Sequence, residues 1–212
     1  MNDYVWSTHV PLIKLILSLF DPRFILELGI GYYSTPLFME YNSEKMFIEN
    51  SQDWINEIAL RNMNVILHQI DVPNQDIPVH DISEQQKNEI SNYYFDLKSK
   101  LKDKPNPRLL FVDNYSCCRA LAINILYPVF DLIIYHDCEP QSIARNNYFF
   151  EDDLTKNYAH YKLVTPRTWA GCFISNKFEY SEELLQIRIE PIIMAYCKEN
   201  NIDGIYLQKQ TL

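Results

Sequence analysis

The chain has only four glycines in 212 residues, and two of them, Gly29 and Gly31, lie together in the segment ILELGIGYYSTPLF. A chain that places half of its few glycines in one turn uses them for backbone geometry. A residue without Cβ accepts a positive φ and lets a ligand approach the main chain closely. The apolar run Phe24–Leu28 immediately before the turn predicts a buried strand.

The residues after the glycine turn predict the start of a helix. Ser34 or Thr35 is suited to cap this helix, and Pro36 suits its first position because that N–H has no helical partner in any case. A buried strand, a glycine turn and a capped helix together form the first unit of a nucleotide-binding α/β fold.

The segment LELGIGYYST resembles motif I of class I S-adenosylmethionine (SAM) dependent methyltransferases, in which an acidic residue precedes Gly-x-Gly. The variant with Ser-Thr after the turn is similar to one found in small-molecule and sugar O-methyltransferases of that superfamily. The resemblance implies a three-layer α/β/α sandwich around a seven-stranded, mostly parallel sheet with an antiparallel last strand. It also implies that SAM contacts the turn through Glu27, Gly29, Gly31, Ser34 and Thr35.

A Gly-x-Gly turn also opens dinucleotide-binding folds, so an NAD-dependent oxidoreductase stays open as an alternative. The full fingerprint G-x-G-x-x-G/A needs glycine or alanine at the position of Ser34, and this chain departs from it there. SAM has no pyrophosphate to place on the helix N-terminus and does not need that third small residue. The turn therefore favours SAM over NAD.

A second acidic residue lies at the spacing expected of a ribose ligand. Lys45–Ile48 predict a short strand that ends in Glu49, about 20 residues beyond the turn, where an acidic side chain meets ribose hydroxyls. In similar methyltransferases this residue holds the ribose, and a nearby aromatic side chain lines the adenine pocket. Asn50 and Trp54 are therefore further candidates for cofactor contact, although Trp54 also fits an apolar helix face.

Later apolar runs with polar ends predict more strands, alternating with helices. The strands are expected at 64–70, 109–112, 131–135, 161–164 and 172–175. The helices are expected at 10–20, 83–101, 118–126 and 181–200, with Pro191 expected to kink or split the last. Near-continuous apolar runs are typical of parallel strands that are buried on both faces. The whole chain, 1–212, is expected to form one domain.

Acidic residues lie at the ends of five consecutive predicted strands: Glu27, Glu49, Asp71, Asp113 and Asp137. Ligands of open α/β sheets bind outside the carboxyl ends of the strands, and a buried carboxylate costs free energy unless it binds something. The acidic strand ends therefore predict one ligand site. On this basis Asp71 and Asp113 join the candidates for cofactor contact.

Two of these acids also resemble metal ligands. In metal-dependent O-methyltransferases one Asp after strand four and one after strand five bind a divalent ion, and the segments LLFVDN and IIYHDC resemble those positions. The resemblance implies that Asp113 and Asp137 bind Mg²⁺ or another divalent cation. The usual third ligand is replaced by Cys138, whose soft thiol suits Mg²⁺ poorly, so Glu139 would have to substitute for it.

His136 is the alternative catalyst, and Asp137 and Asp113 are its candidate partners. Methyl transfer is an in-line displacement, in which the enzyme aligns the reactants while a base of near-neutral pKa removes the acceptor proton. A histidine beside Asp137 suits that role, and packing against a neighbouring loop is its structural alternative. Arg119 either binds an anionic acceptor or pairs with Asp113. The other four histidines, His9, His68, His80 and His160, have no comparable setting.

Charge and composition limit the partners and the compartment. A net charge of −9 and a pI near 5.0 argue against nucleic-acid binding, which needs clustered Lys and Arg. The apolar run 10–20 contains Lys14 and is too short to span a bilayer, so no membrane is expected. Five cysteines without a CxxC pair indicate reduced thiols, and hence a cytoplasmic protein, in the host cytoplasm if the source is viral or a phage.

The sequence as a whole predicts a SAM-dependent methyltransferase. It is expected to methylate an oxygen of a small hydroxylated acceptor, a sugar or another metabolite, either as a monomer or as a homodimer. Two alternatives stay open. One is a noncatalytic SAM-fold protein with an assembly or regulatory role, which the replaced metal ligand favours, and the other is the NAD-dependent oxidoreductase.

Overall fold

The computed structural model describes residues 7–58, 63–72, 74–142 and 148–210. The strands are β1 Phe24–Leu28, β2 Glu44–Glu49, β3 Val65–Leu67, β4 Arg108–Val112, β5 Leu132–His136, β6 Tyr158–Val164, β7 Ala170–Ser175 and β8 Tyr206–Lys209. The helices are α1 Val10–Phe20, α2 Ser34–Glu40, α3 Gln52–Ile58, α4 Glu84–Leu101, α5 Ser116–Leu126, α6 Asp152–Asn157 and α7 Glu182–Asn200.

The strands form one sheet in the order β3-β2-β1-β4-β5-β7-β6-β8. The pairs from β3 to β5 are parallel, whereas β7 runs antiparallel to both of its neighbours, β5 and β6. The prediction of an α/β fold with a mostly parallel sheet is therefore confirmed.

The sheet contains eight described strands, so the prediction of seven was wrong. The additional strand, β8, follows α7 and pairs antiparallel with β6, where Leu163 lies opposite Leu207. Of the four residues of β8, Leu207 is the one that is buried, and the other three are exposed. An edge strand with a single buried side chain lacks the apolar run that predicted the inner strands.

Both faces of the sheet are covered by hydrophobic clusters. Strands β1, β4 and β5 are buried along their whole length, and successive residues point alternately into one cluster or the other. Side chains of α4 and α5 complete the first cluster, and those of α1 and α7 complete the second. Each fully buried Leu or Ile contributes about 1.5–3 kcal/mol, so these two clusters hold the sheet between its helices.

The long helices agree with the sequence patterns that predicted them. In α4 the Ser83 hydroxyl accepts from the Gln86 amide (3.2 Å), and the Gln86 side chain accepts from the Ser83 amide (2.8 Å). Helix α7 continues through Pro191 without a split, because Pro191 and the residue one turn earlier, Ile187, both face solvent, where water can satisfy the freed carbonyl. None of the described helices combines the length and apolar character needed to cross a bilayer.

Helix α2 departs from the prediction at its first turn. It begins at Ser34 with Tyr33 as its N-cap, and no side chain caps it. The hydroxyls of Ser34 and Thr35 bind the Glu27 carboxylate instead. A buried carboxylate without these donors would cost more than an uncapped helix end, which explains why the hydroxyls serve Glu27.

The glycine turn lies where the strand order reverses, between β1 and β4. Gly29 has φ +86°, and a Cβ on it would lie 2.5 Å from the backbone of both Asp113 and Asn114. Only glycine allows this contact, which brings the ends of β1 and β4 together. The reversal point is also where open α/β sheets bind ligands. Gly31 does not have a positive φ, so Gly29 alone has the backbone role that was expected of both glycines.

We predict that Gly29→Ala destabilises the fold much more than Gly31→Ala. The first change imposes a left-handed φ on alanine and a clash with rigid backbone, for a loss of roughly 2–5 kcal/mol. At Gly31 the nearest atom to a new Cβ is the Ser34 hydroxyl at 3.3 Å, and the expected loss is below about 1 kcal/mol. Urea denaturation of the two variants measures the difference, and equal losses would contradict the close contact at Gly29.

Candidate functional site

The glycine turn is clamped by Glu49, at the end of β2. One Glu49 carboxylate oxygen accepts from the Ile30 amide (3.0 Å), and the other accepts from the amides of Asn50 (2.7 Å) and Ser51 (2.9 Å). Glu49 is 4 % exposed. Burial raises its pKa even though the three amides lower it, and Asp113 raises it further. The expected ribose ligand therefore lies at the turn, and its carboxylate already binds protein amides.

Trp54 and Asn50 also make hydrogen bonds at or near the glycine turn. The Trp54 indole donates to the Ile30 carbonyl (2.5 Å), so the turn is held from both sides. The Asn50 side chain donates to the His68 carbonyl (2.8 Å) and accepts from the Tyr115 amide (3.4 Å). Both predicted cofactor contacts therefore lie beside the glycine turn, and both make structural hydrogen bonds there.

Glu27, in β1, is the second buried acidic residue near the carboxyl ends of the parallel strands. One of its oxygens accepts from the hydroxyls of Ser34 and Thr35, and Thr35 in turn accepts from the Gly31 amide (2.8 Å). The other oxygen is buried and has no hydrogen-bond partner among the described residues. Burial raises the pKa of Glu27 well above its usual value, and the charges of Asp113 and Glu49 raise it further.

Asp71 does not lie at the end of a strand, although the sequence predicted it there. Strand β3 ends at Leu67, so Asp71 lies four residues beyond it, and the side chain is exposed. Its backbone carbonyl accepts from the Gln86 side chain. The expected strand end at Asp71 was wrong, because β3 is a short strand at the sheet edge and most of its side chains face solvent.

Arg119, from α5, joins the ends of β4 and β5. Its guanidinium binds Asp113 (3.0 Å) and Asp137 (2.6 Å), and its Nε donates to the Asn114 carbonyl (2.6 Å). Burial lowers the pKa of Arg119, but the charges of Asp113, Tyr148 and Asp137 outweigh it and raise that pKa. Of the two roles considered for Arg119, pairing with Asp113 is the one that the structure contains.

His136 lies directly behind the same two carboxylates. Its Nδ1 is 3.3 Å from Asp113 and 3.6 Å from Asp137, and its Nε2 is 2.9 Å from the Thr8 hydroxyl. Burial lowers the pKa of His136, but the charges of Asp113 and Asp137 more than offset burial and raise it. His136 is 3 % exposed, whereas the Asp113 and Asp137 side chains are 26 % and 17 % exposed. The carboxylates, and not the imidazole, are therefore the accessible part of the cluster.

Asp137 adopts a left-handed backbone, with φ 54°. Such a conformation is uncommon outside glycine and costs about 1 kcal/mol, although Asp tolerates it better than most residues. The Tyr148 hydroxyl donates to the carbonyl of the preceding residue, His136 (2.7 Å). This turn directs the carboxylate back towards Arg119 instead of away from the sheet. Local strain of this kind is concentrated at functional sites.

His9 is a member of the cluster that the sequence did not predict. It precedes α1, and its ring contacts those of His136 (centroids 4.7 Å apart) and Phe111 (5.1 Å). Both ring nitrogens are buried without a hydrogen-bond partner among the described residues, at a cost of about 1–3 kcal/mol each. Burial lowers the pKa of His9 to about 3. No local pattern reveals this position, because folding brings His9 to Asp113 from more than 100 residues away along the chain.

Glu139, the expected third metal ligand, is directed elsewhere. One of its oxygens accepts from the Ser142 hydroxyl and the other from the Trp169 amide (3.1 Å). These bonds tie Glu139 to the start of β7, so it does not join Asp113 and Asp137. The predicted set of three metal ligands is therefore not assembled, although two of its members share Arg119 and His136.

Two surface depressions lie away from these residues. One, beside the start of β2, is lined by Met39, Ser43, Lys45, Phe47, Met63 and Asn64. The other, between α1 and the start of α7, is lined by Leu19, Phe20, Phe178, Glu179, Tyr180 and Leu184. Neither holds a cluster of titratable groups, so the buried charges at the carboxyl edge of the sheet mark the candidate site instead.

A scan against protein-family models and a search of curated proteins gave no match to this chain. The function is therefore inferred from the chemistry of the site residues. Two adjoining parts are available for it. The first is the acidic glycine turn with Glu27 and Glu49, and the second is the charge cluster of Asp113, Arg119, His136 and Asp137.

We predict that Arg119→Met costs about 3 kcal/mol of stability near pH 7, because it leaves two largely buried carboxylates without their shared cation. The matched control is Lys87→Met, which breaks the exposed pair with Glu84 (2.5 Å) and should cost less than about 1 kcal/mol. Urea denaturation of the two variants provides the comparison. If Arg119→Met loses no more stability than the control, the bridge is not a structural support.

Proposed function

We propose that this protein binds SAM at the carboxyl edge of β1, β2 and β4 and transfers its methyl group to an oxygen of a small hydroxylated acceptor such as a sugar. The observation that carries the proposal is the concentration of carboxyl groups at the glycine turn. Asp113 and Glu49 both raise the pKa of Glu27, and Asp113 raises that of Glu49, which means that the three carboxyl groups lie within electrostatic reach of one another.

An acidic turn suits SAM better than a dinucleotide. SAM carries a sulfonium and an ammonium group, and both are attracted to carboxylates, as are the hydroxyls of its ribose. The pyrophosphate of NAD carries negative charge and would be repelled. The position where a dinucleotide needs glycine or alanine is occupied by Ser34, whose hydroxyl is bound to Glu27. Both observations support SAM over NAD.

The residues at the turn also fit the cofactor in their hydrogen-bonding capacity. Glu27 has a buried oxygen without a partner among the described residues, which is suited to accept from a ligand N–H or O–H group. Gly29 brings the main chain of β1 close to that of β4 without a side chain between them. In this proposal Glu49 accepts from ribose hydroxyls in addition to the backbone amides, and Asn50 and Trp54 are its neighbours. Asp71 is the least favoured of the predicted contacts, because it lies beyond the end of β3.

The neighbouring charge cluster is suited to hold the acceptor. SAM supplies an electrophilic methyl group, whose sulfur leaves as a neutral thioether. The acceptor hydroxyl forms the new oxygen–carbon bond and gives up its proton to a protein base. Asp113 and Asp137 are the accessible groups for this role, and His136 stands behind both of them. In this proposal a carboxylate meets the hydroxyl, and His136 with Arg119 orients that carboxylate and balances its charge.

A noncatalytic, ligand-sensing role is the second candidate, and the state of Glu49 favours it. Both Glu49 oxygens already accept backbone hydrogen bonds, and the Trp54 indole holds the turn closed through Ile30. A ribose would have to share or displace these bonds. A turn that changes its hydrogen bonds on binding is suited to signal the presence of SAM to a partner, as well as to position SAM for reaction.

We predict that Glu49→Gln weakens SAM binding by roughly 1.5–3 kcal/mol, the value of hydrogen bonds to a charged group. The matched control is Trp54→Phe, which removes the indole bond to Ile30 and loosens the same turn while it keeps the carboxylate. Its loss of SAM affinity should be smaller. Equilibrium dialysis with labelled SAM measures both variants.

Thermal unfolding of the same two variants separates the ribose role from the structural one. If Glu49→Gln binds SAM as tightly as the unaltered protein and only its melting temperature falls, Glu49 is a structural clamp and not a ribose ligand. If both variants lose SAM affinity equally, the loss comes from the loosened turn.

A further inference from the structure

His9 brings a third metal-binding side chain to the charge cluster. A ring nitrogen of His9, a carboxylate oxygen of Asp113 and a ring nitrogen of His136 all lie within 4.8 Å of one another. The His9 side chain is almost completely buried, and both of its nitrogens lack a hydrogen-bond partner among the described residues. Buried polar groups are nearly always paired, so an unpaired imidazole beside a carboxylate and a second imidazole calls for a ligand.

We propose that His9, Asp113 and His136 together bind one divalent transition-metal ion of the kind that prefers imidazole, such as Zn²⁺ or Co²⁺. Two imidazoles and one carboxylate match the ligand preference of these ions, which bind nitrogen readily. Mg²⁺ prefers oxygen ligands in an octahedral arrangement and is poorly served by two histidines. The proposed set keeps one predicted ligand, Asp113, and replaces Glu139 by side chains that the structure brings together.

The distances between the donor atoms suit such an ion. Zinc bonds to nitrogen and oxygen are about 2.0–2.2 Å long, so neighbouring ligand atoms of a tetrahedral site lie about 3.3–3.5 Å apart. His136 Nδ1 and the nearer Asp113 oxygen are 3.3 Å apart. The other separations, up to 4.8 Å, require the donor atoms to approach by up to about 1.5 Å when the ion binds.

Neighbouring groups already hold two of the three side chains in position. The Thr8 hydroxyl contacts His136 Nε2 at 2.9 Å, so Nδ1 is the nitrogen that faces the site, and Thr8 is itself 2.8 Å from the Thr168 hydroxyl. Arg119 binds the other oxygen of Asp113. Such outer contacts fix the orientation of metal ligands in known sites. Asp137, 3.6 Å from His136 Nδ1, adds a second negative charge beside the ion.

The test is a titration of the purified full-length protein with Co²⁺ alone, followed through the visible absorption of protein-bound Co²⁺ in the absence of SAM. We expect one equivalent to bind, and we expect Zn²⁺ but not Mg²⁺ to displace it. His9→Phe keeps a ring in the pocket and removes both nitrogens, so it should fold and lose at least about 100-fold in affinity. His80→Ala, an exposed histidine outside the cluster, should bind as the unaltered protein does.

Three results would overturn the proposal. The first is the absence of bound Co²⁺ and Zn²⁺ in the unaltered protein. The second is equal binding by His9→Phe, which would remove His9 from the site. The third is displacement of Co²⁺ by Mg²⁺ at similar concentration, which would indicate a site made of carboxylates alone. If His9→Phe fails to fold, His9→Gln serves in its place with the same expectation. Because SAM is absent throughout, the result is independent of the proposed methyl transfer.

Discussion

The pairing of Arg119 with Asp113 and Asp137 is the interaction on which the candidate site depends. It ties the ends of β4 and β5 together and lets two carboxylates and a buried histidine share a small volume. The charges of the two carboxylates raise the pKa of both His136 and Arg119, against the effect of burial. Without Arg119 the two carboxylates would repel each other. The same pairing therefore determines the geometry of the site and stabilises the ends of β4 and β5.

The acidic turn beside the cluster differs from it, because none of the ion pairs between described residues includes Glu27 or Glu49. Glu27 and Glu49 are buried and accept from hydroxyls and amides, one Glu27 oxygen has no partner among the described residues, and the pKa values of both are raised. Such an arrangement costs free energy in the free protein. A cationic ligand with hydroxyl groups would recover part of that cost, which links the electrostatics of the turn to the proposed binding of SAM.

The sequence predicted the parts of the fold that local patterns control. The buried strands followed from apolar runs, the end of α4 from the prolines after it, and the positive φ at Gly29 from the scarcity of glycine. The eighth strand had no such pattern, because one buried leucine does not make an apolar run. The early end of β3 was not predicted either, because it results from the position of this strand at the sheet edge. His9 could not be found either, since its meeting with Asp113 and His136 is a long-range contact. Glu139 was predicted to be a metal ligand because it lies close to Asp137 in the sequence. In the structure its side chain accepts hydrogen bonds from Ser142 and Trp169 instead.

The central claim is that the acidic glycine turn binds SAM and not a dinucleotide. Titration calorimetry of the purified protein with SAM and, separately, with NADH tests this claim most directly. The account predicts saturable binding of one SAM per chain, with no measurable heat of binding from NADH. Saturable binding of NADH together with no binding of SAM would contradict it, and would move the function to the oxidoreductase alternative.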